Sequence, residues 1–516
     1  MRPRRATPVL ALTTALAAVL VAPAFSTAPP PQSPASLAVA AADRLVGRET
    51  ARIHLSPRDR LVRQRVIAGS GGLHYVPYTR TYAGLPVSGG DLVVVTDARG
   101  RVLSTSVNQK APLSVATTPK VPASGAATAA RGRLRGASAS TPRLAVIAEG
   151  AGRLVYQTVL TGSKDGKPSR LHVDVDAGTG KVVRSWDEVT DGTGHGHHHG
   201  TVDVPTTRSA TTYGMADPGR PGVRCGDLSG RTFTDPDDVW GDHTGTDLVT
   251  ACVDAMHVAQ RGWDMLANWL GRNGYDGNGR GFPMRVGLDD ENAYWDGTSA
   301  TFGHNLARTK QVTNADIVGH ELGHAVFQWT PGGASGLNEK GGLNESTGDI
   351  FGTMTEWYLN SPYDRPDYLM GETVNLVGTG PIRSMYDPAA LGDPGCFSEA
   401  VRVTEVHAAA GVQNHWFYLL AEGSRPNDPA NGRPNSPTCD GSVLAGIGRE
   451  KAARIYMEGL NRKTSWWAHE DARRATLEAA LQLHPGSCRE FRAVRDAWNA
   501  VRVPRHASEP APAQCA

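Results

Sequence analysis

The stretch of sequence that decides the fold is residues 314–358, NADIVGHELGHAVFQWTPGGASGLNEKGGLNESTGDIFGTMTEWY. Near its start lies the segment His320-Glu321-Leu322-Gly323-His324. On a helix, residues four apart share a face, so His320 and His324 can reach one metal ion while Glu321 lies beside it. A chain of this composition holds about 0.03 such patterns by chance. The pattern is therefore uncommon, and a surface helix with unrelated histidines stays the alternative.

A candidate for the third metal ligand follows in the second half of the same stretch. Twenty residues separate His324 from Glu345. Catalytic zinc sites use three protein ligands and leave the fourth position open, so a second helix carrying Glu345 would complete the set. Asp349 shares the face of Glu345 and would accept the outer N–H of a ligand histidine, with His320 as the expected donor. Two histidines, one glutamate and an open position favour zinc over iron or copper.

The composition excludes several classes of protein. The chain has 516 residues, 40% hydrophobic and 20% charged, with a net charge of +2. A nucleic-acid binder would be strongly basic, so no nucleic-acid partner is expected. No internal stretch is apolar over the ~18 residues that a transmembrane helix needs. At about 150 residues per domain, the length predicts three or four domains.

Residues 1–28 are predicted to be a signal peptide. A basic start, MRPRR, is followed by an apolar run over residues 9–21 and then by small residues. This order is typical of secretory signals and predicts cleavage near Ala24 or Ala28. We therefore expect a secreted, extracellular protein without a membrane partner after cleavage. An uncleaved anchor helix is the alternative.

All six cysteines lie between Cys225 and Cys515. An even number of cysteines in an oxidising compartment predicts three disulfides. Proximity in sequence favours Cys225–Cys252, Cys396–Cys439 and Cys488–Cys515, although other pairings stay open.

The front of the chain is predicted to be rich in β-strands. Residues 73–106 alternate β-branched and aromatic residues between turn sequences, and residues 143–186 repeat the pattern. Residues 30–42 and 111–130, rich in Pro and Ala, predict flexible breaks. The histidine run DGTGHGHHHG, residues 191–200, predicts an exposed linker and a natural cleavage region, with loose metal binding by His195, His197, His198 and His199 as the alternative.

Four segments together resemble the thermolysin-like neutral metalloproteases, a gluzincin family, in its secreted actinobacterial form. Beside residues 314–358, these are ENAYWDG at 291–297, PIRSMYDPAALGDP at 381–394 and EVHAAAGVQNHWFYLL at 405–420. Their order matches that of the family. The front half resembles the family's propeptide, with an FTP-type module followed by a PepSY-type module.

The resemblance implies a role for each residue of the catalytic centre. His320, His324 and Glu345 would bind one zinc ion. Glu321 would be the general base for a zinc-activated water, and His407 would donate to the oxyanion. Glu405, two residues before His407, would orient its ring. A core histidine near a helix start is the alternative for His407.

The resemblance also implies substrate contacts. Arg383 would bind a substrate carbonyl, while Asn292 and the backbone of Ala293 would hold the peptide as an added strand. Ile317 and Ile382 would line an apolar pocket, which implies cleavage before bulky apolar residues. A surface salt bridge for Arg383, a turn role for Asn292 and an ordinary core role for the isoleucines are the alternatives.

The sequence departs from the family at two positions near the site. Gly336 falls where many relatives have a tyrosine that supports the oxyanion, which leaves His407 as the main side-chain donor. Arg402 stands where several relatives have an aspartate that partners the histidine. Glu405 is expected to take over that role.

The resemblance further implies one or more structural calcium ions. Their oxygen ligands would come from Asp316, Glu356, Asp367 and Glu372. Leu369 falls where another carboxylate would stand, so one ion rather than a pair is expected. A solvated acidic surface is the alternative.

These observations predict an α+β zymogen. The expected parts are a signal peptide (1–28), an FTP-like module (43–110), a PepSY-like module (120–190), a β-rich protease N-lobe with the zinc helix (195–328) and a helical C-lobe (329–516). The expected activity is that of a monomeric zinc endopeptidase acting on proteins or peptides, with its prodomain as intramolecular chaperone and inhibitor. A zinc aminopeptidase, for which no GxMEN-type motif is found, and a catalytically weakened binding protein are the alternatives.

Overall fold

The computed structural model describes residues 33–68, 72–107, 109–164, 167–209 and 212–515. The predicted signal peptide lies outside the described residues. The described residues divide into two compact units, the first made of residues up to 120 and 144–155 and the second of residues 121–143 and those from 156 onward. The fold is of the α+β class, as predicted. Among the helices that the structure describes, none is long and apolar enough to cross a membrane.

The front part of the first unit, residues 33–120, is a helix packed on an antiparallel sheet. Its elements are α1 (Pro34–Arg48), β1 (Asp59–Arg63), β2 (Ile67–Ala68), β3 (His74–Tyr82), β4 (Leu85–Ser88), β5 (Leu92–Thr96) and β6 (Val102–Val107). Strand β3 pairs with β1, β2, β4 and β5, and β5 pairs with β6. The residues of β3 are alternately more and less buried, as the alternating sequence predicts.

The prediction of a flexible link at residues 30–42 is wrong for the residues described. Ser33 caps α1 by accepting a hydrogen bond from the Ser36 N–H, and Pro34 occupies the first turn. Both features favour a helix start. Ala38 and Ala42 are fully buried in the small core of this unit. Small side chains therefore serve close packing here rather than flexibility.

The next elements are α2 (Ala123–Arg131), β7 (Ser138–Ala139), β8 (Arg143–Ile147), β9 (Arg153–Lys164), β10 (Lys167–Asp176) and β11 (Val182–Asp187). Helix α2 corrects the prediction of a continuous break at residues 111–130. Its alanines give it high helix propensity, and Ala126 and Ala130 are fully buried. Strands β10 and β11 form an antiparallel pair in which Leu171 lies opposite Asp187.

A five-stranded sheet follows, in the order β16-β14-β13-β12-β17. Its strands are β12 (Val189–His195), β13 (Thr201–Ser209), β14 (Thr212–Gly214), β16 (Thr234–Asp235) and β17 (Val239–Trp240), while β15 (Arg224–Gly226) belongs to another sheet. Strands β12 and β13 form a hairpin across seven residue pairs, from Val189↔Thr207 to His195↔Thr201.

The histidine run is the turn of this hairpin, so the prediction of an exposed linker is wrong. His198 and His199 are only 8% and 3% exposed. The carboxylate of Asp254 accepts hydrogen bonds from the backbone N–H groups of His197, His198 and His199. A buried acceptor for three successive N–H groups fixes the turn, and local sequence composition gives no sign of it.

Burial makes the histidines near this turn resist protonation. Desolvation lowers the pKa of His198 and of His257 to about 4, from an ordinary value of 6.5. Since the unfolded chain gains these protons below about pH 6.5 and the folded chain does not, the free energy of unfolding falls as the pH drops from there towards 4. Asp254 acts in the opposite direction, because burial raises its pKa to about 7.

The free energy of unfolding of the wild type is expected to fall between about pH 7 and pH 4. In His257→Asn this loss should be smaller by on the order of 2 kcal/mol. Urea unfolding of the wild type and the variant across this range measures the difference. His197→Asn, at an exposed position of the same turn, is the control and should keep the wild-type slope. Equal slopes for wild type and His257→Asn would contradict the argument.

The remaining elements enclose the large core. A four-stranded sheet has the order β15-β18-β20-β19, with β18 (Pro283–Val286), β19 (Ala293–Trp295) and β20 (Ala300–Phe302). The short pair β21 (Leu369–Met370) and β22 (Arg383–Ser384) lies further along the chain. The helices are α3 (Leu248–Asn268), α4 (Ala315–Gln328), α5 (Asn338–Leu359), α6 (Val406–Ala409), α7 (Gly411–Glu422), α8 (Arg449–Leu460), α9 (His469–Leu483) and α10 (Cys488–Ala500).

Helices α4 and α5 pack unusually closely through facing glycines. A Cβ atom added to Gly323 would lie 2.7 Å from the Cα atom of Gly348, and one on Gly319 would lie 2.8 Å from the Cα atom of Gly352. Any larger residue would push the helices apart. The two glycine pairs therefore set the distance between the helix that carries the histidine motif and the helix that carries Glu345.

The three disulfides of the structure join Cys225–Cys252, Cys396–Cys439 and Cys488–Cys515. These are the pairs that proximity in sequence favours. The described residues contain no free cysteine. The first bond ties strand β15 to helix α3, and the last ties the end of the described chain to helix α10.

Candidate metal centre and catalytic site

Three side chains converge between helices α4 and α5. The Nε2 atom of His320 lies 3.4 Å from Glu345 Oε2, and the Nε2 atom of His324 lies 3.6 Å from Glu345 Oε1. In a tetrahedral zinc site with ligand bonds near 2.0 Å, ligand atoms are about 3.3 Å apart. The Oε2 atom of Glu345 is buried and accepts no hydrogen bond among the described residues. An acceptor left without a proton donor in this position fits a cation ligand, so the cluster suits zinc.

Both histidines are oriented through their outer ring nitrogens. His320 Nδ1 lies 2.9 Å from Asp349 Oδ1, and His324 Nδ1 lies 3.2 Å from Asn344 Oδ1. With Nδ1 as donor in each pair, both Nε2 atoms are free to act as ligands. Asp349 had been singled out from the sequence, whereas Asn344 had not. Its position directly before Glu345 was the available signal.

Asp349 is the centre of a buried hydrogen-bond network. Arg383 donates to both carboxylate oxygens, at 2.7 and 2.6 Å, and Asn414 donates to Oδ2 at 2.7 Å. Asp349 is fully buried, and burial alone would raise its pKa, but the charges of Arg383 and His320 hold it well below its ordinary value. Arg383 thus holds Asp349 in place, a contact that was not anticipated beside its predicted contact with substrate.

Glu321 lies beside the cluster with one oxygen unpaired. Its side chain is buried, and Oε2 has no hydrogen-bond partner in the described part of the chain. Burial raises the pKa of Glu321 to about 7, and the neighbouring His320 opposes the rise. A carboxylate with a pKa near neutrality can both accept and return a proton.

His407 faces the cluster from the start of helix α6. Its Nε2 atom lies 3.4 Å from Glu345 Oε2, and its Nδ1 atom lies 2.7 Å from Glu405 Oε1. Glu405 also caps the helix by accepting hydrogen bonds from the His407 and Ala408 N–H groups. Arg402 is paired elsewhere, with Glu339, Glu399 and Glu470. Glu405 therefore orients the histidine in place of residue 402.

A cavity of about 520 Å³ opens onto these residues. Its walls include Asn292 and Ala293 on or beside β19, the outermost strand of the four-stranded sheet. An open strand edge beside a cavity can bind an extended peptide through backbone hydrogen bonds. The cavity also contains Tyr294, Trp295 and Gln328, which the sequence had not singled out, and Trp295 Nε1 donates to Gln328 Oε1 at 2.7 Å.

Ile317, Ile382 and Arg383 do not line this cavity. The two isoleucines meet near Gly371, since a Cβ atom there would lie 3.5 Å from Ile382 and 3.9 Å from Ile317. Ile317 is almost fully buried at 6% exposure. Their predicted role as a pocket for the residue after the scissile bond stays a prediction.

The loop that contains Gly336 is held by two buried lysines. Lys340 donates to the backbone carbonyls of Gly332 and Ser335, and Lys463 donates to that of Gly333. A Cβ atom at Gly336 would lie 2.5 Å from Cδ of Lys340. A larger side chain at position 336 would therefore clash with Lys340 unless the lysine moved.

A second cluster, of acidic residues, lies on the far part of α5 and the following loop. Ligand atoms of Glu356, Asp364 and Glu372 lie within 4.8 Å of one another. Burial and mutual repulsion raise the pKa of Glu356 well above its ordinary value, and that of Glu372 likewise. Such carboxylates stay ionised together only beside a cation, and oxygen donors suit calcium.

The acidic cluster differs in membership from the predicted ligand set. Asp364 belongs to it and was missed, because it lies in the loop between α5 and β21, where sequence spacing carries no signal. Asp316 and Asp367 add to the repulsion within the group, and burial also raises their pKa values, to about 7 and about 6. Leu369 stands where the resemblance implies a further carboxylate, and its backbone N–H donates a hydrogen bond to Asp367 Oδ1.

We expect calcium to raise the stability of the protein by about 2.7 kcal/mol at a concentration 100 times its Kd. Thermal unfolding of calcium-depleted protein during calcium titration measures the effect, and the inactive Glu321→Gln background prevents self-digestion. Asp364→Asn should weaken the response, while Asp290→Asn, at an exposed position, should not. A midpoint that does not respond to calcium would contradict this assignment.

Comparison with known proteins agrees with this geometry. The family model "Thermolysin metallopeptidase, catalytic domain" matches residues 191–328, and "Thermolysin metallopeptidase, alpha-helical domain" matches residues 337–503. Together they cover more than half of the chain. The "Fungalysin/Thermolysin Propeptide Motif" matches residues 60–108. The prediction of a PepSY-type module is not tested by these matches and stays a prediction.

The two matched domains and the cluster of His320, His324 and Glu345 are those of a metallopeptidase of the gluzincin type. The chain belongs to the thermolysin metallopeptidase family, whose members depend on zinc and contain structural calcium.

Three similar proteins illustrate the relationship. A transglutaminase-activating metalloprotease of Streptomyces mobaraensis is 39% identical over 481 residues, covering 89% of this chain and 63% of that protein. Bacillolysin of Brevibacillus brevis is 34% identical over 360 residues, covering 66% and 63%. The precursor of protealysin from Serratia proteamaculans shares 25% identity over 55% of this chain and 85% of that chain, with a TM-score of 0.41. The chain thus spans less than two thirds of the length of these first two relatives.

Proposed function

We propose that this protein is a secreted zinc endopeptidase that is synthesised as a zymogen. The observation that carries the proposal is the His320, His324 and Glu345 cluster with the unpaired carboxylate of Glu321 beside it. The propeptide motif at residues 60–108 supports the zymogen. The basic and apolar pattern of residues 1–28 supports secretion.

The reaction follows from the roles of the side chains. The extended substrate adds to the edge of β19, which positions a peptide carbonyl in the cavity. When bound by the three ligands, zinc supplies Lewis-acid polarisation of that carbonyl and acidifies a water molecule. Glu321 accepts the proton of the attacking water and delivers it to the leaving amine. His407, oriented by Glu405, donates a hydrogen bond to the developing oxyanion.

His407→Ala is expected to lower kcat by about 10²–10³, with little change in KM, because its hydrogen bond forms mainly in the transition state. Steady-state hydrolysis of a peptide by the purified mature enzyme measures both constants. Glu405→Gln should give a smaller loss, since the histidine remains but is oriented less firmly. A kcat unchanged in His407→Ala would contradict the assigned role.

Casein and a peptide with a blocked N-terminus test the activity itself. The endopeptidase proposal requires cleavage of both, loss of cleavage with a chelator and recovery with zinc. Activity confined to peptides with a free amine would favour the aminopeptidase alternative. Absence of activity from mature, zinc-loaded protein would favour a binding role.

A preference for bulky apolar residues after the scissile bond is proposed from the resemblance, which assigns Ile317 and Ile382 to the pocket. The two side chains lie together near Gly371 and outside the walls of the cavity described above. Cleavage-site mapping on casein by mass spectrometry tests this preference, and Ile382→Asp should reverse it.

The prodomain is proposed to assist folding and to block the cleft. Unchanged secretion of active enzyme by a variant lacking residues 30–190 would contradict that role.

A further inference from the structure

The structure limits where a maturation cut can fall. Strand β12, from Val189 to His195, pairs with β13 on one side and with β17 on the other. The end of β12 and the residue after it pack closely against helix α3. A Cβ atom on Gly194 would lie 2.5 Å from Val253, and one on Gly196 would lie 2.2 Å from Asp254. A peptidase needs an extended, accessible segment, so residues 192–200 are poor substrates in the folded chain.

The boundary between the two adjoining sheets lies just before this strand. Strand β11 ends at Asp187 and β12 begins at Val189, which leaves Glu188 as the single residue between them. A cut after Glu188 would leave β11 whole on the front part of the chain and β12 whole in the catalytic part. A cut before Trp186 would instead divide β11.

Side chains of β10 hold this boundary in place. Glu188 Oε2 lies 2.9 Å from Arg170 Nε and 2.8 Å from His172 Nε2. The carboxylate of Asp187 accepts hydrogen bonds from the Ser169 hydroxyl and from the Arg170 N–H. We call Ser169, Arg170 and His172 the junction clasp.

The junction clasp also contacts Trp186, two residues before the boundary. The Trp186 ring stacks on His172, with ring centroids 4.8 Å apart, and the guanidinium of Arg184 lies over the Trp186 ring, 5.1 Å from its centroid. Within the sequence RSWDEVTDG, residues 184–192, Trp186 and Val189 are the bulky apolar side chains. Of the two, Val189 directly follows the boundary: it begins β12 opposite Thr207, and its N–H donates to Asp187 Oδ1, so it is held at the edge of the strand rather than within it.

We propose that the maturation cut is made at the Glu188–Val189 peptide bond, and that the junction clasp must release Glu188 before the bond can be cleaved. This inference rests on the proposed function, because it uses the preference for an apolar residue after the scissile bond. Water adds across the amide: the C–N bond breaks, Glu188 gains a carboxylate and Val189 gains a free amine. Because the clasp holds the segment in the folded precursor, its strength sets the rate of maturation.

N-terminal sequencing and intact mass of the secreted wild type test the position of the cut. Val189 is the expected first residue. Val189→Asp should slow maturation by about tenfold or more, since a charge does not fit an apolar pocket, whereas Val189→Leu should keep the wild-type rate. Trp186→Asp is the matched control and should leave the position of the cut unchanged.

The clasp is tested with the Glu321→Gln precursor as substrate and a trace of mature wild type as enzyme, which separates cleavage from self-processing. Arg170→Ala and His172→Ala, made in this precursor, should be cut several-fold faster at the same bond. Equal rates would overturn the proposal that the junction clasp limits maturation. A first residue other than Val189 would overturn the proposal that the Glu188–Val189 bond is cleaved.

Peptidase activity on a separate peptide with a blocked N-terminus distinguishes a failure of the proposed function from a failure of the proposed cleavage position. Mature enzyme that cleaves this peptide but begins at a residue other than Val189 would overturn the cleavage position alone. Protein without activity on the peptide would overturn the proposed function and the junction together.

Discussion

Glu321→Gln is expected to lower kcat by about 10²–10⁴ while zinc stays bound. Glu321 is not one of the three converging ligands, so its replacement removes proton transfer and leaves the metal site intact. The amide of glutamine is nearly the same size as the carboxylate and cannot accept the proton. Peptide hydrolysis by the mature variant, together with metal analysis of the same sample, measures both parts of this expectation.

A matched substitution at a distant, exposed acid provides the control for Glu321→Gln. Glu450→Gln removes the same charge at a half-exposed surface pair with Arg454 and should leave kcat and zinc content unchanged. Loss of zinc in Glu321→Gln would contradict the separation of ligands from base, and retained activity would contradict its role as base.

The same variant also shows how the precursor matures. Secreted wild type is expected to give a fragment of roughly 36 kDa, since about 330 residues follow the junction at about 110 Da each, whereas Glu321→Gln stays near full length. Identical processing of both chains would mean that another protease makes the cut.

Asp349→Ala is expected to destabilise the protein by about 3–5 kcal/mol and to weaken zinc binding by about 10–100-fold. The carboxylate is fully buried and accepts hydrogen bonds from Arg383 and Asn414, as well as pairing with His320. Without it, the buried guanidinium loses its hydrogen-bonded counter-charge and the histidine has no orienting partner. Urea unfolding and competition with a zinc chelator measure the two effects.

A double variant separates the lost charge partner from lost packing. Asp349→Leu combined with Arg383→Met removes both charges, so it should be less destabilised than Asp349→Leu alone. Its zinc affinity should remain low, because His320 still lacks its acceptor. A loss below about 1 kcal/mol in Asp349→Ala would contradict the central place of this residue.

The acidic cluster shows where spacing in the sequence predicts a ligand position and where it does not. Glu356 was expected because the resemblance implies an acidic ligand there, and it lies on the same helix as Glu345, where no insertion shifts the spacing. Asp364 lies in a loop, where a few inserted residues shift every later position, and its place beside Glu356 and Glu372 depends on the path of that loop. Spacing is informative within a helix and loses its meaning across an insertion.

The histidine turn shows the reverse limit. A run of glycine and histidine has the composition of a flexible linker, yet His198 and His199 are buried because Asp254 on helix α3 binds three successive N–H groups. The two partners are more than fifty residues apart in sequence. Nothing local to the turn reveals that acceptor.

The sequence by itself indicated which side chains could meet one metal ion, because helical periodicity fixes which residues four apart share a face. His320 and His324 share a face by that rule, as do Glu345 and Asp349, and the α+β class follows from the change in pattern along the chain. Only the tertiary structure decided which residues support them. Asn414 reaches Asp349 across 65 residues of sequence, and Glu188 meets Arg170 and His172 on another strand. Such contacts depend on how helices and strands pack, and packing joins residues whose separation in sequence carries no periodic signal.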